Sequence, residues 1–332
     1  MLNLQHRIQL LVQLGDYILA NPADWQAAKA RANVANAWFT DEFIDLASTN
    51  IARQYLTAPV LEEMSATYQI ADPSEPKTVG IVMAGNIPLV GFHDWLCVFL
   101  SGHRSRVKLS SKDNILFPFL LDKLKEWNPA LARHTETSEL LRGCDAYIAT
   151  GSDNSARYFD YYFSKYPHII RRNRSSVAVL DGTETAEELE ALADDTHLYF
   201  GLGCRNVTKL YVPRDQQFEP ILDAMKKYRH FFDHAKYKNN YDYQLAILLL
   251  NNQYYMTNGS VLLVENESIF SPISQINYSF YDDPALVKEE LISNESVQCV
   301  VGHGFLPFGQ AQSPRWCDYA DKVDTMTFLV TL

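Results

Sequence analysis

Cys204 lies in the run Gly201-Leu202-Gly203-Cys204-Arg205-Asn206. Two glycines just ahead of a thiol let the backbone turn tightly and let a substrate come close. Arg205 adds positive charge beside the thiol, which favours the thiolate, the nucleophile of covalent catalysis. The same residue also suits a plain buried cysteine, a common fate for that type. Gly85-Asn86-Ile87-Pro88 follows a short apolar run. The Asn86 side chain there suits donation to a developing oxyanion, and a turn Asn ahead of an apolar helix explains it as well. Gly151-Ser152 follows another apolar run and opens a helical pattern. Backbone N–H groups at such a place bind phosphate, although a Ser there also caps a helix with no ligand. Lys108-Leu109-Ser110-Ser111-Lys112 sets two cations and two hydroxyls together, fitting a phosphorylated cofactor or a solvated strand exit. His230 and His234 have a spacing that can hold a metal on a helix. They have no evident third ligand, so no metal is expected. Tyr161-Tyr162-Phe163 and Tyr254-Tyr255 read as core or pocket wall.

The elements that must position these residues alternate. Residues 1–66 carry helical spacing, broken at Pro22 and Pro59, and Pro73 and Pro76 mark a turn. Thr78–Met83 predicts a buried strand, and Val90–Ser101 a helix. Arg106–Leu109 and Asn114–Trp127 repeat the pair, as do Ala146–Ala149 and Ser155–Lys165. Ser176–Leu180 reads as a fourth strand of the same sheet. Strand and helix in alternation predict a parallel sheet covered on both faces. Ligands bind such sheets at the carboxyl ends of the strands, where Asn86, Ser110 and Gly151 fall. Further on, Glu187–Asp194, Phe218–Phe232 and Tyr241–Asn251 look helical, and Val207–Val212, Ser260–Val264 and Val297–Val301 look extended. The tail Thr325–Leu332 alternates Thr with apolar residues and predicts an exposed strand. Such an edge needs a cover, so a homo-oligomer is expected.

Composition narrows the class. The chain has 332 residues, enough for about two domains. With 29 basic and 40 acidic side chains its net charge is −11. Such a chain repels phosphate backbones, so nucleic acid is not an expected partner. No apolar stretch approaches the roughly 18 residues of a membrane span. The start Met1-Leu2-Asn3-Leu4-Gln5-His6-Arg7 has no leader pattern. Five widely spaced cysteines without a CxxC pair point to a reducing, cytoplasmic setting.

The order of these motifs from about Pro76 to Leu332 resembles the aldehyde dehydrogenase superfamily. Within it, the chain looks most like the acyl-CoA reductases related to the fatty-acid reductase of bacterial luminescence. The segment from Asn86 to Lys108 resembles that superfamily's stretch from oxyanion-hole Asn to cofactor-binding Lys. Gly151-Ser152 resembles its pyrophosphate turn. Gly201 and Cys204 match its nucleophile loop, with Leu202 where Gln is usual. Ile269–Ile273 resembles the Phe-x-Pro element beside the nicotinamide ribose, and Leu306–Gly309 the Pro-Phe-Gly turn.

The departures carry information. Hydrolytic members place a water-activating Glu before the strand leading to the nucleophile, but the stretch from Ile170 to Ser176 has none. Its absence argues against oxidation of aldehydes to acids and suits a reductase. Ser111 stands where NAD-preferring members often carry a Glu. The resemblance therefore implies NADPH, with NADH tolerated. Ser268 stands where a ribose-binding Glu would sit, with Glu267 one place away.

The resemblance implies an α/β chain like an aldehyde dehydrogenase. It would have a doubly wound cofactor domain over residues 1–180, a catalytic cysteine domain over 181–310 and an oligomerisation arm over 311–332. Strands near 67–71 and 325–332 would build the arm, and the cleft between the domains would hold the reaction. The implied activity is reduction of a fatty acyl-CoA to the aldehyde. Cys204 is the nucleophile and Asn86 the oxyanion donor, with Lys108, Ser110, Lys112, Gly151, Ser152, Glu267 and Phe270 toward the cofactor. His303 is a weak candidate acid. Rival readings are an acyl-phosphate reductase of the same superfamily and a cofactor-binding scaffold that has lost catalysis. Phe92, Trp95 and Phe99 suit either core or acyl channel.

Overall fold

The computed structural model describes residues 2–151 and 153–332. Ser152, expected to contact a cofactor, lies outside them. The chain divides into two compact units, Met1–Asn173 with Pro314–Leu332, and Arg174–Ser313. The expected boundary near 181 therefore sits at 173–174, and the last residues belong to the first unit.

The first unit opens with four helices, α1 (Leu4–Ala20), α2 (Ala23–Ala35), α3 (Asp41–Tyr55) and α4 (Ala58–Thr67). Asn3 caps α1 by accepting from the His6 N–H, and the helix ends where Asn21 takes a left-handed conformation ahead of Pro22. A parallel sheet follows, built from β1 (Thr78–Val82), β2 (Arg104–Lys108), β3 (Thr135–Thr137), β4 (Ala146–Thr150) and β5 (His168–Arg171) in the order β3-β2-β1-β4-β5. Its crossovers include α5 (Phe92–Ser101), α6 (Leu116–Trp127) and α7 (Asp153–Phe163). Helix α5 is buried on nearly every side. Phe92, Trp95 and Phe99 are buried in it, and Trp95 stacks on Phe99 at 5.2 Å. They are core side chains of this unit. By contrast, Tyr161 and Tyr162 are exposed on α7 rather than buried, while Phe163 stacks on Tyr147.

Thr325–Val330 is a helix, not the expected arm strand. Asp324 caps it by accepting from the Thr327 N–H at 2.8 Å. Met326 and Leu329, three apart, are fully buried. His103 bonds the Leu329 carbonyl through Nε2 at 3.0 Å. Residues 67–71 form the end of α4 and a turn rather than a strand. The edge-strand argument for an oligomer therefore falls. Arg171, the last residue of β5, ties this helix in. It is buried, pairs with Asp94 of α5 at 2.6 Å and donates to Thr325 Oγ1 at 2.8 Å.

The second unit has its own sheet, formed by β6 (Ser175–Val179), β7 (Val207–Pro213), β8 (Met256–Thr257), β9 (Leu262–Glu265), β10 (Gln275–Tyr281) and β11 (Val297–Gly302). The order is β11-β6-β7-β10-β9-β8, parallel except for β8. Strand β6, expected in the first sheet, starts this one. Three residues separate it from β5, whereas a parallel neighbour needs a crossover of about a dozen. Helices α8 (Ala186–His197), α9 (Glu219–Ala224), α10 (Ala235–Leu250) and α11 (Pro284–Ser293) complete the unit. No helix among the described residues is long and apolar enough to cross a membrane.

Candidate active site

In the first unit the expected groups gather at the carboxyl ends of adjacent strands. Asn86 follows β1, Lys108 ends β2, Ser110 and Lys112 lie in the turn beyond it, and Gly151 follows β4. Lys108, Ser111 and Lys112 are exposed and Asn86 and Gly151 half-buried. Glycine at 85 has a steric reason. A Cβ there would stand 2.6 Å from Ser110 Oγ and 3.2 Å from the Asp113 nitrogen. The exit loops of β1 and β2 are thus in direct contact. Asp113 joins them further. The Leu89 N–H donates to its Oδ2 at 2.8 Å, and Leu89 has a positive φ of 57°. Burial pushes the Asp113 carboxyl up to about 6.

In the second unit the turn carrying Cys204 hangs between α8 and β7. Thr185 and Glu188 form a reciprocal capping box at the start of α8. At its other end Tyr199, Phe200 and Gly201 are all left-handed, with φ of 56°, 56° and 73°. Only Gly201 adopts that conformation without cost. Asn206 holds the turn. It is fully buried. Its Oδ1 accepts from the Gly203 N–H at 2.8 Å. Its Nδ2 donates to the Leu198 carbonyl at 2.8 Å and to those of Asp195 and Thr196 at 3.2 and 3.4 Å. One side chain thus closes the carbonyl end of α8 and fixes the backbone carrying half-buried Cys204. Ser176 Oγ on β6 donates to the Cys204 carbonyl at 3.1 Å and lies 3.0 Å from Cys299 Sγ. Arg205, read as a charge beside the thiol, donates through Nε to the Ala311 carbonyl at 2.6 Å. All five cysteines are thiols.

Strand β7 carries the next two ties. Thr208 Oγ1 donates to the Ile269 carbonyl at 2.5 Å, and buried Lys209 donates to the Asn266 carbonyl. From β10, buried Asn277 donates to the carbonyls of Ser268 and Phe270 at 2.9 and 3.0 Å. The loop with exposed Glu267 and Phe270 is therefore registered against β7, the strand that follows the Cys204 turn. Phe200, Gly201, Thr208, Pro272 and Ile273 line one narrow crevice of about 20 Å³ between turn and loop. Burial lowers the Lys209 ammonium to about 8.

Asp195 of α8 anchors the Leu306–Gly309 turn. Fully buried, it accepts from Gly309 and Ala311 N–H at 2.6 and 2.9 Å. Burial raises it to about 6 despite those bonds. His303 bonds Asp181 through Nδ1 at 2.8 Å and Glu188 through Nε2 at 2.9 Å. The two carboxylates raise it to about 9. His230 and His234 do not share an α-helical face. His230 lies in a 3₁₀ segment, and His234 caps α10 by accepting from the Tyr237 N–H. Asn206, Asp113 and Asp195 were missed from sequence, and only the Cys204-Arg205-Asn206 adjacency hinted at the first.

No family model matches the chain, and no curated protein matches its sequence. Solved structures do match its fold. PutA, a proposed aldehyde dehydrogenase from Anabaena variabilis, aligns at 15% identity with a TM-score of 0.66, over 93% of this chain and 75% of that one. The fold is that of the aldehyde dehydrogenases. An enzyme of that name from Mycobacterium tuberculosis, solved with NAD+, aligns at 13% identity and a TM-score of 0.64, over 85% of this chain and 69% of that one. A variant of aldehyde dehydrogenase C from Pseudomonas syringae, solved with NAD+ and octanal, aligns at 11% and 0.64, over 89% of this chain and 71% of that one.

Proposed function

We propose that this chain is a nicotinamide-dependent oxidoreductase of aldehyde-level carbon that reduces an acyl-CoA thioester to the aldehyde through an acyl-cysteine at Cys204. The observation that carries this reading is the turn at Cys204. Three left-handed residues and a fully buried Asn206 are spent on holding a half-buried thiol. Strain of that kind concentrates at functional sites.

The residues fit a dinucleotide. The exits of β1, β2 and β4 form the usual phosphate-binding end of a doubly wound sheet. Gly85 lets the exits of β1 and β2 pack directly on each other, and Lys108 and Lys112 are exposed cations. Lys108, Ser110, Lys112 and the Gly151 backbone would hold it, with Glu267 and Phe270 toward its reactive end. Two proteins of the same fold were solved with NAD+, which supports the cofactor class. The missing carboxylate at Ser111 favours NADPH. When bound, the cofactor supplies a hydride.

The Cys204 thiolate adds to the thioester carbonyl, forming a C–S bond. Asn86 and the Cys204 N–H receive the oxyanion; such donors are worth roughly 10²–10³ in rate. Coenzyme A departs as its thiolate and the acyl group stays on Cys204. After reduction the carbon–sulfur bond breaks, which frees the aldehyde and regenerates the thiolate. No side chain in 170–176 suits activating water against the acyl-cysteine. Arg171 of that stretch is committed to its buried pair with Asp94.

Intact-protein mass after mixing with a panel of acyl-CoAs, without reductant, tests this. An acyl-sized gain in wild type and none in Cys204→Ala is expected. A gain with acyl phosphates alone would transfer the reading to that class of donor. No gain with either would leave a binding scaffold.

A further inference from the structure

We propose that Asp113 is a positioning residue that locks the Asn86 loop to the cofactor loop, so that dinucleotide binding and oxyanion contact are set by one side chain. This rests on the cofactor reading above. The two loops are consecutive strand exits and could move separately. Three features join them. The Met83 N–H donates to the Lys108 carbonyl at 3.0 Å, extending the β1–β2 ladder into both exits. Gly85 lies so close to Ser110 that a single methyl would not fit. The Asp113 carboxylate, carried on the cofactor loop, ties in the rest by accepting from the Leu89 N–H at 2.8 Å. Its own N–H closes the Ser110 turn at 3.1 Å, and Ser110 Oγ accepts from the Lys112 N–H at 3.2 Å.

Packing alone does not require a carboxylate here. Asp113 is 8% exposed, and among the described residues its Oδ1 is buried with no partner. An apolar side chain would fill the space without that penalty. What it could not do is hold Leu89 in the left-handed conformation that shapes the Asn86 turn. The group is also placed to transmit. A ligand gripping Lys108 and Lys112 stiffens the Ser110–Asp113 turn, and the Leu89 bond carries that order to Asn86. Coupling through one such element is typically worth about 5- to 150-fold.

Hydrogen exchange resolved by peptide, with and without NADPH, tests the proposal in wild type, Asp113→Ala and Asp113→Asn. In wild type the dinucleotide is expected to slow exchange at both 83–91 and 108–114. In Asp113→Ala it slows 108–114 alone, and its Kd rises by about tenfold. Asp113→Asn keeps an amide oxygen for the Leu89 N–H, and restores joint protection and near-wild-type affinity. Joint protection persisting in Asp113→Ala overturns the proposal, as does protection confined to 108–114 in wild type. Wild type without protection at 108–114 overturns the cofactor assignment itself, and the coupling with it.

Discussion

Asn206→Ala is the perturbation that most directly probes the turn at Cys204. Two of the bonds it removes are short, from the Gly203 N–H and to the Leu198 carbonyl, both 2.8 Å. Orphaning both groups in place would cost about 2–6 kcal/mol, at about 1–3 each. The left-handed Tyr199 and Phe200 store strain of about 1–2 kcal/mol each. Letting the turn relax therefore returns about 2–4 kcal/mol, which is comparable to the bonds lost. The turn is expected to rearrange rather than endure unsatisfied groups. Global stability should then fall by only about 1–2 kcal/mol by urea unfolding, the remainder after relaxation. The larger effect should appear at Cys204, because misplacing a reacting group by about 1 Å costs on the order of 100-fold. The assay is the rate of iodoacetamide alkylation at fixed pH, read by peptide mass, with exposed Cys317 as internal reference. The ratio of the Cys204 rate to the Cys317 rate should change in Asn206→Ala. A ratio identical in wild type and variant, with stability lowered, would refute the claim that Asn206 positions the Cys204 thiol.

Other outcomes follow from the same geometry. Arg171→Met strands Asp94 in the core of the first unit. Breaking a buried pair in this way costs about 3–5 kcal/mol, read in urea unfolding; a loss below 1 kcal/mol would show the pair to be solvated. His197 is held down to about 4 by burial. The folded chain therefore binds fewer protons than the unfolded one between about pH 6.5 and 4, and the His197 contribution is lost as pH falls through that window. The full shift corresponds to about 3 kcal/mol. The stability gap between wild type and His197→Phe, which keeps the ring stack on Tyr228, should move in favour of the variant on acidification; an unchanged gap would contradict the burial argument. Ser111→Glu should weaken NADPH binding by about tenfold or more relative to NADH, by placing a carboxylate against the phosphate. Equal loss for both cofactors would remove Ser111 from the ribose site.

Local pattern made much of the first sheet legible. The Val- and Ile-rich run at 78–83, the helix over 90–101 and the turn residues at 85–86 and 150–151 announce strand, helix and loop within a few residues. The resemblance then ordered Asn86, Lys108, Gly201 and Cys204 into one chemistry. Strands β3 and β5 are short and partly polar, so periodicity does not reveal them. Strand β10 hides for a different reason. Its polar residues Asn277 and Ser279 are buried, because both faces of that strand are covered and Asn277 serves the loop at 266–270. The tail alternates as a strand would, yet Met326 and Leu329 also satisfy helical spacing. The Asp324 cap and the face offered by α5 decide between the two readings.

The sequence by itself determined the residue types that can react, their order and the alternation that builds a doubly wound sheet. These depend on composition and on neighbours within a turn or two. Tertiary structure alone decided that β6 leaves the first sheet, because three residues cannot cross over it. It also decided that the C-terminal segment returns as a helix, since Arg171 is buried only once Asp94 and Thr325 surround it. The groups that hold the site, Asn206, Asp113, Asp195 and Asn277, were likewise invisible in advance. A buried polar side chain is distinguished from an exposed one by the backbone groups that meet it, and those arrive from elsewhere in the fold.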